Sequence, residues 1–399
     1  MDWIKRDQKA IMSTYNRLPV TIAKGEGSYL IDVEGKKYLD FFTGLAVNIL
    51  GHSHPKIVQT LKEQGEKFLH ISNVFINQPA IMLAERLVEL SIDGKVFFTN
   101  SGAEATEAAI KLIHKHSVQA GQHQKGIVVL EKSFHGRTLG AIKLTRQPGV
   151  YQDFPTTNIP VYETKPEDIE ELELIFKEHQ PAALLMEPIL GSGGIVPLSK
   201  NYLKEVQALC RQYGVLLCMD EIQTGIGRTG TFFAYQQAGI EPDVILFAKG
   251  VGGGLPLGGI IVADPYVKLF QPGDHGTTFA PSPLSAALGN TVLEVLLEDG
   301  LMKKSVEVAE KLWTDLEGLQ GKFPHYIESI RGKGMMVGIA LTLDAKQVKV
   351  IQKQLLHDGY MVDVTQQTII RLLPPLTISI AEIERLITAI QGHLDELSQ

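Results

Sequence analysis

The stretch Leu246–Gly259 decides the fold and reads LFAKGVGGGLPLGG. A short apolar run ends at Lys249, and a glycine-rich segment follows it. A phosphate-binding P-loop needs its lysine after the glycines, and a dinucleotide fingerprint needs a glycine where this chain has Leu255. Both nucleotide motifs therefore fail. A lysine at the end of a strand in a confined site can instead lose its proton and act as a nucleophile or a base.

Short apolar runs like the one before Lys249 recur along the chain and alternate with helical patterns. The runs are KVFFTN, KGIVVLE, AALLMEP, GVLLCMDE, DVILFAKG and GGIIVAD. Such runs, bounded by Gly, Pro or Asp, are typical of strands buried on both faces of a parallel sheet. Helical periodicity lies in PAIMLAERLVEL and AEATEAAIKLIHKH. The pattern predicts an α/β fold in which a mainly parallel sheet lies between layers of helices.

The chain of 399 residues is long enough for more than one domain. After about residue 283, long amphipathic helices surround short strands, which predicts a smaller α+β domain. We therefore predict a large domain over residues 51–282 and a small C-terminal domain over residues 283–399. Residues 1–50 contain strand-like pieces with a hairpin turn in DVEGKK, and we expect them to pack with the small domain.

The composition argues against several classes of protein. The chain has 38 Lys and Arg against 45 Asp and Glu, a net charge of −7, which argues against nucleic acid or an anionic membrane as the main partner. No apolar run approaches the roughly 18 residues that span a bilayer. The start, MDWIKRDQKAIM, lacks the apolar region of a signal peptide. Cys210 and Cys218 cannot form a disulfide framework and suit a reducing compartment, so we expect a cytoplasmic location.

Three charged residues stand where core strands end: Glu187, Asp220 and Lys249. In an open parallel sheet, ligands bind at these ends. The turn TNSGAE leads into a helix whose first N–H groups, at Gly102 and Ala103, could bind an anion. A carboxylate such as Asp220 can keep the ring nitrogen of pyridoxal phosphate (PLP) protonated, while a lysine binds the aldehyde. Together these parts fit that cofactor, although a strand-end aspartate alone more often caps a helix or anchors a loop.

Several motifs resemble, in the same order, those of the class III aminotransferases. They are TNSGAEATEAAIK, KSFHGRT, DEIQTGIGRTG, FAKGVGGGLPLGG, HGTTF and IIRLLPPLT. The resemblance extends from about Tyr15 to the C-terminal helix, and the acetylornithine aminotransferases are the most similar group. It implies a fold type I PLP-dependent transferase with a mainly parallel seven-stranded sheet and a smaller α+β domain.

The resemblance also implies roles for the residues around the cofactor. Lys249 would hold PLP covalently and then act as the base that moves a proton between substrate and cofactor. Asp220 would pair with the ring nitrogen, and Gln223 would lie near the ring hydroxyl. Phe134 would stack on the face of the ring.

The phosphate of the cofactor would be bound from two directions. Gly102 and Ala103 would donate N–H bonds to it, and the family residue that matches Thr278 reaches it from the neighbouring subunit. The resemblance therefore implies a homodimer with shared active sites. The alternative for Thr278 is an ordinary surface hydroxyl.

The resemblance implies that the δ-amino group of N2-acetylornithine passes to 2-oxoglutarate in arginine biosynthesis. Because arginines bind carboxylates in a bidentate manner, two are expected. Arg137 would bind the distal carboxylate of either substrate, and Arg371 the near carboxylate of the oxo acid, unless Arg371 only braces its loop. We also place Thr277 and Ser192 at the substrate site. Arg228, in GIGRTG, matches the family as well, but we expect a structural role for it.

Three departures from the family motifs bear on the substrate site. The family commonly has EPIQGEGG where this chain has EPILGSGG, so Ser192 replaces a glutamate that covers the arginine while a terminal amine is bound. We therefore expect either that Arg371 stays uncovered, with a weaker preference for terminal amines, or that another residue takes over. The other departures are FAPSPLS after HGTT and VDVTQQ before Arg371.

Other functions remain open at this point. Ornithine, succinylornithine and 4-aminobutyrate aminotransferases share the machinery, an amino-acid racemase or epimerase could use the same fold, and a non-catalytic dimeric binding protein could have kept it. His52 and His54 in GHSHP lack further ligands at zinc spacing, and His114 and His116 lie two apart on a predicted helix. We therefore expect no metal site.

Overall fold

The computed structural model describes residues 2–119, 121, 125–154 and 157–397. In chain order the strands are β1 (Ile22–Glu26), β2 (Tyr29–Asp32), β3 (Lys37–Asp40), β4 (Gly94–Thr99), β5 (Ile127–Leu130), β6 (Val161–Thr164), β7 (Ala183–Met186), β8 (Ile189–Leu190), β9 (Val196–Pro197), β10 (Leu216–Asp220), β11 (Val244–Phe247), β12 (Gly258–Ala263), β13 (Ile327–Lys333), β14 (Met336–Leu341), β15 (Tyr360–Met361), β16 (Asp363–Thr365) and β17 (Ile369–Leu372). The α-helices are α1 (Trp3–Ala10), α2 (Thr43–Ala46), α3 (Pro55–Gly65), α4 (Gln78–Glu89), α5 (Gly102–Gln119), α6 (Leu139–Leu144), α7 (Pro148–Tyr151), α8 (Ile169–His179), α9 (Lys200–Tyr213), α10 (Pro283–Leu293), α11 (Leu301–Lys322), α12 (Ala345–His357) and α13 (Ile380–Leu397).

A seven-stranded sheet forms the centre of the molecule, in the order β4-β12-β11-β10-β7-β5-β6. All neighbours pair in parallel except β12, which is antiparallel to both β11 and β4. The predicted mainly parallel sheet is therefore confirmed. The six apolar runs are six of its strands. Strands β5, β7, β10, β11 and β12 are buried on both faces, as expected where helices cover the sheet, whereas the edge strand β4 is partly exposed. The seventh, β6, lies at an edge and is only partly buried, so its sequence VYET has no apolar run.

Among the described residues, two four-stranded sheets and the two-stranded sheet β8-β9 accompany the central one. The N-terminal strands form the sheet β1-β2-β3-β15, in which Tyr360 pairs with Leu39. The C-terminal strands form the sheet β13-β14-β17-β16, against which long helices pack. The first residues of the chain thus share a sheet with a strand from its last fifty. The boundaries predicted at residues 50 and 282 stay a prediction.

The central sheet brings the three charged strand ends together. Asp220, the last residue of β10, is the Cα partner of Leu246 in β11, three residues before Lys249. Strand β7, which precedes Glu187, is the other neighbour of β10. Because the three strands are parallel, their carboxyl ends open on one edge of the sheet, and the site lies there.

Two further findings concern the chain as a whole. Within the described ranges, no helix has both the length and the apolar character needed to cross a membrane. Cys210 and Cys218 are free and buried, and burial raises the pKa of both thiols. They are therefore inert small apolar side chains rather than reactive groups.

Candidate active site

A cavity of about 670 Å³ opens at the carboxyl ends of the central strands. This volume is within the range of small-molecule sites. Eight of the predicted site residues line the cavity: Gly102, Ala103, Phe134, Arg137, Ser192, Asp220, Gln223 and Lys249. They come from five separate segments of the chain, which only the fold brings together.

Lys249 stands at the centre of this arrangement in a strained conformation. Its φ is +52°, a left-handed value that a residue with a Cβ adopts rarely and that commonly marks a functional site. Burial disfavours the charged amine and lowers the pKa of Lys249 to about 8. The negative charge of Asp220 opposes this shift, whereas the positive charge of Arg371 adds to it. The amine is therefore partly neutral near physiological pH.

Asp220 is buried beside a histidine that the sequence analysis did not assign to the site. Oδ2 of Asp220 lies 2.7 Å from Nδ1 of His135, and Oδ1 accepts a hydrogen bond of 3.1 Å from the N–H of Ile222. Both side chains are almost fully buried. His135 lies in KSFHGRT, beside the predicted Phe134 and Arg137, so its place in a motif was the available signal. The pair fixes the orientation of the carboxylate.

Glu187 connects two loops that border the cavity. Its carboxylate accepts hydrogen bonds from the N–H of Phe134 at 2.9 Å and of Gly191 at 3.0 Å. Burial raises the pKa of Glu187 to about 7, and the nearby Asp220 adds to the shift. Glu187 thus holds the loop of Phe134 to the loop that carries Ser192.

The start of α5 forms the opposite wall of the cavity. The hydroxyl of Ser101 accepts a hydrogen bond from the N–H of Glu104 at 3.2 Å, which leaves the N–H groups of Gly102 and Ala103 at the helix end. A Cβ at Gly102 would lie 2.9 Å from Cδ1 of Ile222, so a larger residue here would require the side chain of Ile222 to move. A helix N-terminus of this kind binds anions.

Aromatic and amide side chains complete the cavity. Phe134 is half-buried, and the guanidinium of the exposed Arg137 lies 5.7 Å from the centre of its ring. Gln223 is half-buried and reaches so close to Gly191 that a Cβ there would lie 2.1 Å from its Oε1. Ser192, one residue further on, is half-buried on the cavity wall.

Three predicted site residues are not among the described residues that line the cavity: Thr277, Thr278 and Arg371. Thr277 lies at the rim, where its hydroxyl accepts a hydrogen bond of 2.9 Å from the amide of Asn100. Thr278 is exposed. Arg371 is buried behind the loop of Ser192, with its NH1 group 3.4 Å from the carbonyl oxygen of Gly191.

Arg371 is not uncovered. Its Nε and NH2 groups both donate to Oδ2 of Asp363, at 2.8 Å and 2.5 Å. The expectation that Arg371 stays uncovered is therefore wrong, because an acidic side chain pairs with it. Asp363 belongs to VDVTQQ, one of the three departures from the family motifs.

A left-handed turn from the N-terminal region also reaches the cavity and was missed by the sequence analysis. All four residues of α2 have positive φ, between +46° and +69°. Leu45 in this turn lines the cavity. Oδ1 of Asp40 accepts hydrogen bonds of 2.8 Å from the N–H groups of Phe42 and Thr43, and its Oδ2 lies 2.8 Å from Nε2 of His52. The carboxylate of Asp40, which also contacts His52, therefore holds the turn in place.

The remaining polar residues have structural surroundings. Arg228 is fully buried, and its NH1 donates to the carbonyl oxygens of Met335 and Pro374, as expected for a brace between segments. Burial lowers the pKa of His114 and His116. No group of three or more His, Cys, Asp or Glu side chains in the described part of the chain could hold a metal ion.

The sheet, the strand-end lysine and the buried carboxylate define the chain as a fold type I transferase. The family model described as Aminotransferase class-III matches residues 11–394. The chain belongs to the class III aminotransferases, a family that in general depends on PLP.

Individual relatives match along the whole chain. An acetylornithine aminotransferase from Methanocaldococcus jannaschii is 40% identical over 100% of this chain and 99% of its own. One from Aquifex aeolicus is 39% identical over 96% and 99%. Among solved structures, the ornithine aminotransferase of Toxoplasma gondii has a TM-score of 0.94 and 28% identity, covering 99% of this chain and 95% of its own. An acetylornithine aminotransferase from Elizabethkingia anophelis has a TM-score of 0.89 and 32% identity, covering 99% and 98%.

Proposed function

We propose that this protein is an aminotransferase that moves the δ-amino group of N2-acetylornithine to 2-oxoglutarate. The products are N-acetylglutamate 5-semialdehyde and glutamate, and the step belongs to arginine biosynthesis. The observation that carries the proposal is the identity of 39 to 40% to relatives named acetylornithine aminotransferase, over nearly their full length. The arrangement of the cavity supports it.

The residues of the cavity fit PLP. The N-terminus of α5 offers N–H groups for a phosphate, Gly102 leaves room there, and the buried Asp220 is oriented for a ring nitrogen by His135. The amine of Lys249, with its lowered pKa, suits a bond to the aldehyde. When bound, PLP supplies an electron sink for the carbon that carries the amino group.

The side chains then act as follows. Lys249 would hold the cofactor covalently, and its Nζ would afterwards carry the transferred proton. Asp220 would keep the ring nitrogen protonated, with Gln223 on the side of the ring hydroxyl. Phe134 would pack against the ring, and Gly102 with the adjacent Ala103 would bind the phosphate.

Two arginines, one exposed and one buried, bind the carboxylates of the substrates in the proposed site. The exposed Arg137 binds the distal carboxylate of the donor, and the buried Arg371 binds the near carboxylate of 2-oxoglutarate. Thr277, held by Asn100 at the rim, and Ser192, on the cavity wall, complete the substrate site.

We also infer a homodimer with shared active sites. In it, Thr278 of each chain binds the phosphate of the PLP that the partner subunit holds. Large apolar side chains are exposed near Thr278, which supports an interface there: Leu69, Val74, Phe75, Ile76 and Phe279. The amides of Asn73 and Asn77 donate to the carbonyl oxygens of residues 277, 280 and 281, so the two apolar segments form one surface. The cytoplasm, the proposed location, rests on the two free cysteines.

A panel of donors tests the function. With 2-oxoglutarate as acceptor, we expect kcat/KM to be highest for acetylornithine among acetylornithine, ornithine, succinylornithine and 4-aminobutyrate. Ornithine is the second candidate, because the Toxoplasma gondii ornithine aminotransferase has so similar a fold. A higher kcat/KM for ornithine would replace the proposal with that one.

A second incubation, with donor and no acceptor, separates the reaction types. A transaminase consumes one equivalent of acetylornithine per active site and stops, with a change in the absorption of the bound cofactor. Continued turnover would indicate a racemase or epimerase, and unchanged absorption a binding protein.

A further inference from the structure

The guanidinium of Arg371 is already neutralised within this chain. Its side chain is 6% exposed, and it donates through Nε and NH2 to a single oxygen of Asp363, whose side chain is 23% exposed. A buried guanidinium without a counter-charge is unfavourable, and this carboxylate removes that penalty. The hydroxyl of Ser192, which stands where the family has a glutamate, carries no charge that could do so.

The partner is fixed by the backbone rather than carried on a loop. Asp363 and Arg371 are directly opposite each other in the antiparallel pair β16 and β17. Such cross-strand neighbours have side chains on the same face of the sheet. The hairpin is also anchored to the cavity wall, because Thr365 and Gln366 donate to the carbonyl oxygen of Ser192 at 3.0 Å and 2.8 Å. Asp363 therefore stays beside Arg371 in every state that keeps this hairpin.

The ion pair leaves part of the guanidinium available. Arginine has five N–H groups, of which Asp363 takes two and the carbonyl oxygen of Gly191 takes one. The two that remain are on NH1 and NH2, and a carboxylate of the substrate would bind at that edge. It meets a pair without net charge instead of a full positive charge, and the attraction is weaker.

We propose that Asp363 is a specificity-determining residue, a permanent counter-charge that lowers the affinity of Arg371 for the α-carboxylate of substrates. An α-amino acid places its carboxylate next to Arg371 and gains less from binding. A terminal-amine donor has no carboxylate there and loses nothing. The discrimination that a mobile glutamate supplies elsewhere in the family is here supplied by a fixed aspartate on β16. This inference rests on the proposed function of the same site.

The test uses Asp363→Asn in the PLP-loaded enzyme. Asparagine has the same shape and keeps an oxygen that accepts from Arg371, so the charge changes while the orientation is retained. We expect glutarate, a dicarboxylate without an oxo group, to bind about tenfold more tightly by titration calorimetry. The binding should also weaken more steeply with added salt, because the site now has a net charge. The ratio of kcat/KM for glutamate to that for acetylornithine should rise by a similar factor.

The sign of the change separates this role from a merely structural one. If Asp363 only holds Arg371 in place, its replacement weakens glutarate binding, and that result, or no change, overturns the proposal. Asp358→Asn is the matched control, since it removes a carboxylate on the surface that pairs with His393. It should leave glutarate binding at the wild-type value.

A double-mutant comparison tests whether the effect passes through Arg371. In an Arg371→Gln background, Asp363→Asn should tighten glutarate binding by less than in the wild type, because only the direct repulsion between Asp363 and the ligand is then removed and no guanidinium is released. An undiminished effect in that background would contradict the proposal. Glutarate binding does not depend on the identity of the donor. A failure of acetylornithine as substrate would therefore overturn the proposed function alone and leave this test intact.

Discussion

Lys249 and Lys56 carry the same side chain in opposite surroundings. Lys249 is enclosed in the cavity, and burial lowers the pKa of its amine to about 8. Lys56 lies at the surface, where its Nζ is 2.5 Å from Oε1 of Glu294 and 2.8 Å from Oδ2 of Asp299. The hydrogen bonds to these two carboxylates raise the pKa of Lys56 to about 12. The cavity thus makes one particular lysine nucleophilic near neutral pH.

Competitive acylation of the cofactor-free protein tests this difference. The neutral amine reacts, and its fraction increases as pH rises through the pKa. We therefore expect Lys249 to become reactive towards acetic anhydride with a midpoint near pH 8, measured for each lysine by mass spectrometry. Lys56 in the same digest serves as the internal control and should stay protected until far higher pH.

Replacing Asp220 tests the direction in which its charge shifts the pKa of Lys249. Its negative charge favours the protonated lysine, so Asp220→Asn should move the midpoint of Lys249 to lower pH. A midpoint near the ordinary value of lysine in the unmodified chain would show that burial does not control this amine.

At the scale of elements, the left-handed turn α2 shows how backbone strain can serve a site. Three of its residues carry a Cβ, and each left-handed conformation costs on the order of 1–2 kcal/mol. Asp40 and the contact of the Thr43 hydroxyl with the carbonyl oxygen of Leu373 hold the turn in place. The result is that Leu45 stands in the cavity wall.

Ala46→Gly probes this strain. Ala46 has a φ of +69° and is 2% exposed, so glycine relieves the strain but adds backbone entropy to the unfolded state. We expect the free energy of unfolding to stay equal or to rise by up to about 1 kcal/mol, and Tm to change in the same direction. The control is Ala109→Gly, in the buried face of α5, which should lower stability by roughly 1 kcal/mol. Equal losses in both variants would show that the turn is unstrained.

Five strands of the central sheet could be predicted from sequence because each is an apolar run buried on both faces, and the partly exposed edge strand β4 could be predicted because its run VFF is apolar. Lys249 and Asp220 could be placed at one edge because parallel strands end together. Strand β6 could not, because an edge strand is partly exposed and its composition is mixed. The turn α2 could not either, because only Gly44 of its four residues TGLA is of a type that favours a left-handed conformation.

The pairing of Asp363 with Arg371 could be predicted from the sequence only in part. The hairpin VDVTQQTIIR has Gln366 and Gln367 at its tip, both with positive φ, and neither is a residue that marks such a turn. Once the tip is known, the register follows, and it places Asp363 opposite Arg371. The acidic residue was visible in the sequence, but its partner depended on the position of the turn.

At the scale of the whole molecule, one chain exposes a continuous apolar surface to solvent. Phe75 is 66% exposed, Ile76 82% and Phe279 65%, on two segments joined by asparagine amides. We expect Phe75→Glu to shift the protein from dimer to monomer in light scattering, because a charge in a buried interface is costly. Val350→Glu changes an exposed valine, 53% exposed on α12, and should leave the mass unchanged. A dimeric Phe75→Glu variant would place the interface elsewhere, and a wild-type monomer would overturn the proposed dimer.

Mixed dimers decide whether Thr278 acts in the partner's site. Lys249→Ala abolishes the site in its own chain, and Thr278→Ala should weaken the retention of PLP by about tenfold or more. If Thr278 acts across the interface, a dimer of one variant with the other contains one intact site, with Lys249 from one chain and Thr278 from its partner. Random mixing should then restore roughly a quarter of wild-type activity at limiting PLP, since half the dimers are mixed and each has one working site of two. If Thr278 acts in its own chain, the same mixture contains no intact site and activity stays at the sum of the two parents.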